Sequence, residues 1–426
     1  MYAGQRRTLE IPDENVESVI RIKDFPPLLD LKAAVRDAVE NPVGGEKLSD
    51  LVKPGGKVVV LTIDRLPLYT SAMNPVVLDV LNEMGVKDQD VTFYLAMGLH
   101  GTPADEARIG RSVLQRVKVV KHECDDRDLV EYRGTTRFGT PLWFSREVLA
   151  ADVRIGIGEV APHPVAGYMG GSKVILPGVS HRDTIDHNHG FLLSSSNFYG
   201  VVDGNIIRED MNDAAEAAGL DMKVDAVINS QQQPVKVAAG DFVKEWKALL
   251  PFADQVWSTR MRKKADIAVY HPGAQRERTL MSSLYQSIEA ADMATREDGI
   301  IVNASSCIDG VAGGWPPIGV GAREKTGPDF LKMSTEDLAR LIVRHEVSVR
   351  DVVLIYLEKR GLERKRVFVA SKTISDEEAR EFGFAGSGSL EEVLARAFQE
   401  MGRDARVAVM PQEGIAWRTM PIVDAG

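Results

Sequence analysis

The sequence predicts an α/β protein built as two α/β domains. Three observations carry this reading. Short β-branched apolar runs, led by 57–63 (KVVVLTI), alternate with amphipathic stretches of helical period. Several of those runs end in Gly, His or Asp, the residues that leave a strand for a loop. After a basic segment at Arg260, Arg262, Lys263 and Lys264 the alternation starts again, and 426 residues is about three times a typical domain.

The elements follow in order. Residues 57–63 read as a buried parallel strand introduced by the turn Pro54-Gly55-Gly56 and ending at Asp64-Arg65. A helix is expected over 74–84, then a strand over 91–97 that runs into Gly98-Leu99-His100. Thr102 has the makings of an N-cap, with Pro103 at the first helical position and Asp105 and Glu106 in the first turn, which sets His100 beside a helix N-terminus. Strands are expected at 117–120 and at 153–157 (VRIGI). Asp64, His100 and His163 each follow an apolar strand, so they would meet in a crevice outside the carboxyl edge of one sheet.

Residues 205–218 form an amphipathic helix with Ile206, Met211 and Ala214 among its apolar positions and acids elsewhere. Two strands, 222–228 and 235–239, are joined at Gln231-Gln232-Gln233, and 241–264 reads as helical. The boundary falls there, giving 1–262 and 263–426 as the two domains. In the second, strand 265–270 leads into His271-Pro272-Gly273. Ser283 and Gln286 have capping-box spacing, and Leu284, Ile288 and Ala291 make the buried stripe of the helix that follows. Gln286 and Glu289 lie three apart on one face. A strand at 299–303 precedes a glycine- and proline-rich loop, 305–321, that carries Trp315 and reads as a cleft lining or a plain connection. Helix 335–344, strands 352–357 and 367–370, helix 390–401 and strand 406–410 complete the unit.

The stretch 159–191 (EVAPHPVAGYMGGSKVILPGVSHRDTIDHNHGF) concentrates the chemistry, with four of the eight histidines. Gly170-Gly171-Ser172 allows close backbone approach. Lys173 stands at the edge of the apolar run Val174, Ile175, Leu176, where desolvation lowers an ammonium pKa. Such a lysine can carry a cofactor covalently, serve as a point charge for phosphate, or snorkel from a loop. His187 and His189 alternate at strand-like spacing, so both face one side only if the backbone is extended; one of them is a candidate metal ligand.

The hydrophobic content is 44%, the charged content 27% and the net charge −10, which argues against nucleic acid or an anionic membrane as partner. Cys124 and Cys307 form no metal or redox spacing. The N-terminus is too polar for a signal peptide and no apolar run approaches the ~20 residues of a membrane span. A cytoplasmic protein is expected.

The residues quoted resemble the nickel-pincer-nucleotide enzymes of the lactate racemase type. The resemblance runs through Asp64, Gly98-Leu99-His100, the block from Pro162-His163 through Gly170-Gly171-Ser172-Lys173 and Pro177-Gly178 to Asn188-His189, the segment Asn205…Arg208-Glu209-Asp210-Met211, and Tyr285-Gln286. It implies two α/β domains with a cofactor and substrate cleft between them. It also implies a nickel-bound pyridinium dithiodicarboxylate mononucleotide, supplied by cofactor-biosynthesis proteins. Lys173 would join that group covalently, His189 would ligate its metal, and Asp64, Gly98 and Ser172 would lie near the nucleotide. His100 and His163 would be the acid/base pair of a racemase or epimerase that inverts a hydroxyl-bearing carbon by reversible hydride transfer.

Two positions depart from the family pattern. Pro67 stands where it has an arginine, and Glu289 where it has a lysine. Substrate binding would then fall to Gln286, Glu289, Arg65 and Trp315, and the substrate would be a larger hydroxy acid, a sugar acid or a polyol rather than lactate. The other readings are an oxidoreductase using the same cofactor, a metal-dependent hydrolase built on His100, His163, His189 and Asp64, and a binding protein that has kept the fold.

Overall fold

The computed structural model describes residues 9–63, 66–100, 105–194, 198–274, 276–284, 287–311, 327–344, 346–347, 349–411 and 419–423. The chain divides into two compact units, Lys23–Val256 and Met1–Ile22 with Trp257–Gly426. The sequence boundary at 262/263 kept the start of the chain in the N-terminal domain. In the structure the first strand, β1 (Val16–Val19), pairs in parallel with a strand near residue 408 and so belongs to the C-terminal unit.

In the N-terminal unit, α1 (Leu31–Glu40) is capped by Asp30, whose carboxylate accepts from the Ala33 amide at 2.9 Å. Then come β2 (Val58–Ile63), α2 (Pro67–Glu83), β3 (Val91–Ala96), β4 (Lys118–Lys121) and β5 (Val153–Glu159). Helix α3 (Arg182–Gly190), α4 (Ile206–Ala218), the hairpin β6 (Met222–Ile228) and β7 (Pro234–Gly240), and α5 (Lys244–Trp257) follow. The sheet order is β7-β6-β5-β2-β3-β4, parallel except for β7. From β2 the chain builds outward through β3 and β4, then returns to add β5 and β6 on the other side. The order therefore reverses between β2 and β5, the position at which open sheets hold ligands. Val58, Val59, Val60 and Leu61 are all buried, as expected of a strand covered on both faces.

Helix α2 begins at Pro67, seven residues before the expected start, because proline suits a first helical turn. The expected helix 241–264 stops at Trp257. Ser258–Met261 instead pairs as a strand with Met420–Val423, a partner that lies too far along the chain to be read from local pattern.

The C-terminal unit continues with β8 (Ala265–His271), α6 (Ile288–Ala294), β9 (Thr295–Asn303), α7 (Val349–Arg364), β10 (Arg366–Ala370), β11 (Gly386–Gly388), α8 (Leu390–Met401) and β12 (Val407–Pro411). Its sheet is parallel throughout, in the order β1-β12-β8-β9-β10-β11. Ile267, Val269, Ile300, Val302, Phe368, Val393 and Leu394 pack one core between this sheet and α8. The expected strand 352–357 lies inside α7, since a short apolar run does not by itself distinguish a buried strand from a buried helix. Ser283 is not a cap: it sits within the helix Leu280–Leu284, where its hydroxyl donates to the Leu280 carbonyl at 2.7 Å.

Both cysteines are buried and neither is in a disulfide. Burial pushes the Cys307 thiol up to about 12. A thiol-alkylating reagent at pH 8 is expected to modify Cys307 about a thousandfold more slowly in the native protein than after unfolding. Time-resolved mass spectrometry measures this directly, and equal rates in the two states would contradict the placement of Cys307.

Candidate active site

The carboxyl ends of β3 and β5 carry the candidate residues of the N-terminal unit. After β3 the chain turns sharply at Gly98, which has φ +54° and donates its amide to the Gly178 carbonyl at 2.9 Å. A Cβ on Gly98 would meet Pro177 at 3.1 Å, so this turn and the 177–178 turn touch through backbone that only glycine permits. His100 follows, its amide bonded to the Met97 carbonyl at 2.9 Å.

After β5 the chain forms a small hairpin, Pro162–His163 against Gly167–Tyr168, and then the 3-10 turn Gly171–Val174 that bears Lys173. The His163 Nδ1 accepts from the amides of Val165 and Ala166 at 3.2 and 3.1 Å. A neutral ring so held keeps its proton on Nε2, making that nitrogen a donor. Val174, Ile175 and Leu176 are buried and Lys173 is half-buried, as the apolar run behind it implied.

His189 lies on α3, a helix, not an extended segment. Residues two apart on a helix point about 200° apart, so His187 and His189 cannot face one side. The His187 Nδ1 pairs with the Thr140 hydroxyl at 2.9 Å. The pKa of His189 falls to about 3, chiefly through burial and then through the nearby charges of Lys173 and His100. Those couplings bring His100, Lys173 and His189 into one neighbourhood, and they keep the His189 ring neutral.

The tautomer of His189 follows from its neighbours. Asp210 is fully buried and accepts from the hydroxyls of Thr136 at 2.5 Å and Thr140 at 2.9 Å, and from Asn188 Nδ2 at 2.8 Å. Asn188 Nδ2 also donates to the Ile207 carbonyl at 3.1 Å, so its Oδ1 is the atom facing the His189 Nδ1, at 3.1 Å. Nδ1 therefore donates, and the lone pair of the neutral ring is on Nε2, the tautomer that suits a metal ligand. Among the described residues no three His, Cys, Asp or Glu side chains converge as ligands, so a metal at His189 would have to bring further donors with it.

Both halves of the chain match models of one family. Residues 2–200 match the lactate racemase N-terminal domain and residues 261–417 match the lactate racemase C-terminal domain. The chain belongs to the lactate racemase family. It is 28% identical over 372 residues to a lactate racemase of Thermoanaerobacterium thermosaccharolyticum, covering 81% of this chain and 86% of that protein. It is 26% identical over 324 residues to a lactate racemase of Lactiplantibacillus plantarum, covering 73% of this chain and 75% of that protein. Its fold is similar to the lactate racemase apoprotein of Thermoanaerobacterium thermosaccharolyticum, with TM-score 0.84, 24% identity, and 99% and 98% of the two chains covered. A protein from Thermotoga maritima has TM-score 0.63 at 16% identity, covering 90% of this chain and 98% of that one.

Within this family member, Ser172 is buried, donates to Asn212 Oδ1 at 2.7 Å and accepts from Arg208 at 3.3 Å. Glu289 opens α6 in the C-terminal unit, and burial raises its carboxyl from 4.5 to about 7. Asp64, Arg65, Gln286 and Trp315 lie outside the described residues. Two groups that sequence reasoning passed over shape the Lys173 loop. The Arg208 guanidinium donates to the carbonyls of Ala166 at 3.3 Å, Gly170 at 2.9 Å and Tyr168, and lies 4.3 Å over the Trp246 ring. Asp225 accepts from the Gly171 amide at 2.7 Å and pairs with Lys223, both wholly buried. Gly158 makes the room: a Cβ there would come 2.5 Å from the Asp225 carboxylate. The signal for this pair was two charges spaced i, i+2 within an apolar strand, 222–228, which places them on the same face.

Proposed function

We propose that the protein is a racemase or epimerase of 2-hydroxy acids that works with a nickel-pincer nucleotide. The observation that carries the reading is a neutral His189, its lone pair on Nε2, in the electrostatic neighbourhood of the Lys173 amine. Lys173 would hold the group covalently and His189 would supply the protein's ligand to its metal. A single imidazole fits a metal that arrives with sulfur and carbon donors of its own. When bound, the group supplies a reversible acceptor for the hydride of the carbinol carbon.

The chain's own residues handle the proton. Inversion through a planar carbonyl needs a group for the hydroxyl proton on each face, and His100 and His163 fill these places. They are unequal. His163, with Nδ1 occupied by two amides, enters as the donor from Nε2. His100 is left to take the hydroxyl proton while His163 gives its Nε2 proton to the returning alkoxide, and the return path runs through protonated His100 as donor and deprotonated His163 as acceptor. The half-buried setting of Lys173 and His189 limits water around them. Glu289, in place of a lysine, supports a substrate other than lactate, because a carboxyl group beside a substrate carboxylate is unfavourable.

Intact mass and nickel content test the reading on protein from cells able to make the cofactor. The wild type is expected to carry a nucleotide-sized covalent addition with nickel, and Lys173→Ala is expected to lose both. An unmodified, nickel-free wild type from a competent host would remove the hydride mechanism. Fast racemisation of lactate would remove the inference drawn from Glu289.

A further inference from the structure

We propose that Asp225 is the positioning residue of Lys173: its carboxylate holds the Gly171 amide, and with it the turn that presents the lysine, from a polar chamber that Lys223 and Glu245 complete. The inference rests on the reading of Lys173 as the point of covalent attachment and deepens it.

The chamber lies within the N-terminal unit. Lys223 and Asp225 point to one face of β6, and their partners in the parallel register of β5 are Gly156 and Gly158. Both glycines leave room that a side chain would fill. A Cβ on Gly156 would come 2.8 Å from Lys223 Cδ, and one on Gly158 would come 2.5 Å from Asp225 Oδ1 and 2.6 Å from Lys223 Nζ. Gly170 closes the chamber from the turn, where a Cβ would stand 2.7 Å from Asp225 Oδ2. The alternating glycines of β5 are the space in which the ion pair sits.

The start of α5 covers the turn: a Cβ on Gly171 would meet the Phe242 carbonyl at 3.0 Å and Trp246 Cγ at 3.2 Å. Glu245, in the first turn of α5, is thereby brought to Asp225 and is 0% exposed. Among the described residues, neither of its carboxyl oxygens accepts from an N–H or O–H donor. Burial, and then the Asp225 carboxylate, holds the Glu245 pKa well above the ordinary value. Glu245 therefore keeps its proton and donates it in the hydrogen bond that joins the two acids. Asp225 takes three donors: the Lys223 ammonium, the Gly171 amide and the Glu245 hydroxyl.

The turn needs such a hold. Gly170 and Gly171 have φ of +83° and +58°, and two successive glycines are the freest pair a chain can offer. The peptide group between them is gripped at both ends, its carbonyl by Arg208 at 2.9 Å and its amide by Asp225 at 2.7 Å. For stability alone the chamber is a poor solution. Apolar residues of the same size commonly serve as well as a buried ion pair, and glycines weaken a strand. What the chamber supplies is a fixed acceptor for one amide, two residues before Lys173.

The test compares two double variants of the full chain. Lys223→Met with Asp225→Leu makes the pair apolar and removes the acceptor, whereas Lys223→Met with Asp225→Asn removes the charges and keeps an acceptor. On apoprotein, fragmentation mass spectrometry reads hydrogen exchange at the Gly171 amide and the rate at which a water-soluble acetylating ester modifies Lys173. Intact mass reads the covalent addition on protein from cofactor-competent cells. The leucine variant is expected to unfold in urea at or above the wild-type midpoint, to exchange Gly171 about tenfold faster, to change Lys173 acetylation by about threefold or more, and to lose about nine-tenths of the addition. The asparagine variant is expected to return the last three toward wild type, which a role in stability alone would not produce. A leucine variant that exchanges, acetylates and loads like the wild type overturns the proposal, as does one that loses stability while its folded fraction still loads. If the leucine variant does not fold, a folded asparagine variant with Gly171 protected and no addition overturns it instead. Wild-type protein without the addition from a competent host sinks the racemase reading alone, because exchange and acetylation of the apoprotein still decide what Asp225 does for Lys173.

Discussion

Replacing Arg208 by methionine is expected to destabilise the N-terminal unit by about 3–5 kcal/mol, the range for removing one partner of a buried charged network, and to abolish attachment of the cofactor at Lys173. The guanidinium is 1% exposed and reaches three carbonyls of the 166–170 segment as well as the Ser172 hydroxyl. It acts through the loop that bears Ser172 and Lys173. Methionine keeps most of the stem and its contact with Trp246 but leaves those carbonyls without a donor. Burial lowers the Arg208 pKa to about 9, offset by Asp225, so the group remains charged at neutral pH. Lysine is not expected to rescue it, since a single ammonium cannot span carbonyls that a planar fork reaches together. Urea unfolding gives the stability loss. Intact mass of protein from cofactor-competent cells gives the second readout, with the folded fraction checked by near-UV circular dichroism. A variant that unfolds with the wild type and still acquires the addition would show that the loop keeps its shape without Arg208.

Most strands of the two sheets were readable because burial on two faces demands continuous β-branched runs, as at 58–63, 91–96 and 407–411, whereas β1, only partly buried, and β11, a Gly-Ser-Gly segment, carry no such run and were missed. The setting of Lys173 was readable for a related reason: the apolar run behind it has to be inside, so the lysine stands at an edge. What failed was local pattern without tertiary context. His187 and His189 could share a side only on an extended backbone, and the segment is a helix on which the two rings part company, with Asn188 between them turned inward to Asp210. The amphipathic pattern of 205–218 sets its acids, Asp210 among them, off the apolar face and assigns Arg208 no place inside. Both residues are buried because the loop and α3 cover them, and a helical wheel carries no information about what lies over it. The 352–357 run misled in the opposite direction, since six apolar residues fit a strand until the charged residues on either side extend the helix around them. Asp64 was legible as a strand end and Gln286 as a helix-face partner of Glu289, their roles came only from the resemblance, and both lie outside the described residues.

The second large effect concerns pH. Glu289→Gln is expected to stabilise the C-terminal unit by about 3 kcal/mol at pH 8 and by nearly nothing at pH 4, because the carboxyl that titrates at 4.5 when exposed titrates at about 7 when folded. Between these values the folded state holds a proton that the unfolded state has released. Stability conferred by the proton is therefore intact below 4.5, falls as pH rises through that interval, and is fully lost above 7. Burial is the main cause. Asp292 adds to it, the positive charges of Arg360 and Arg276 oppose it, and Glu358 and Tyr270 face the same space and are coupled to Glu289. Glutamine keeps the shape of the protonated acid without the ionisation, so the variant's unfolding free energy, measured in urea from pH 4 to 8, should lose this slope while the wild type shows it. Parallel curves would mean that Glu289 is solvated in the folded protein.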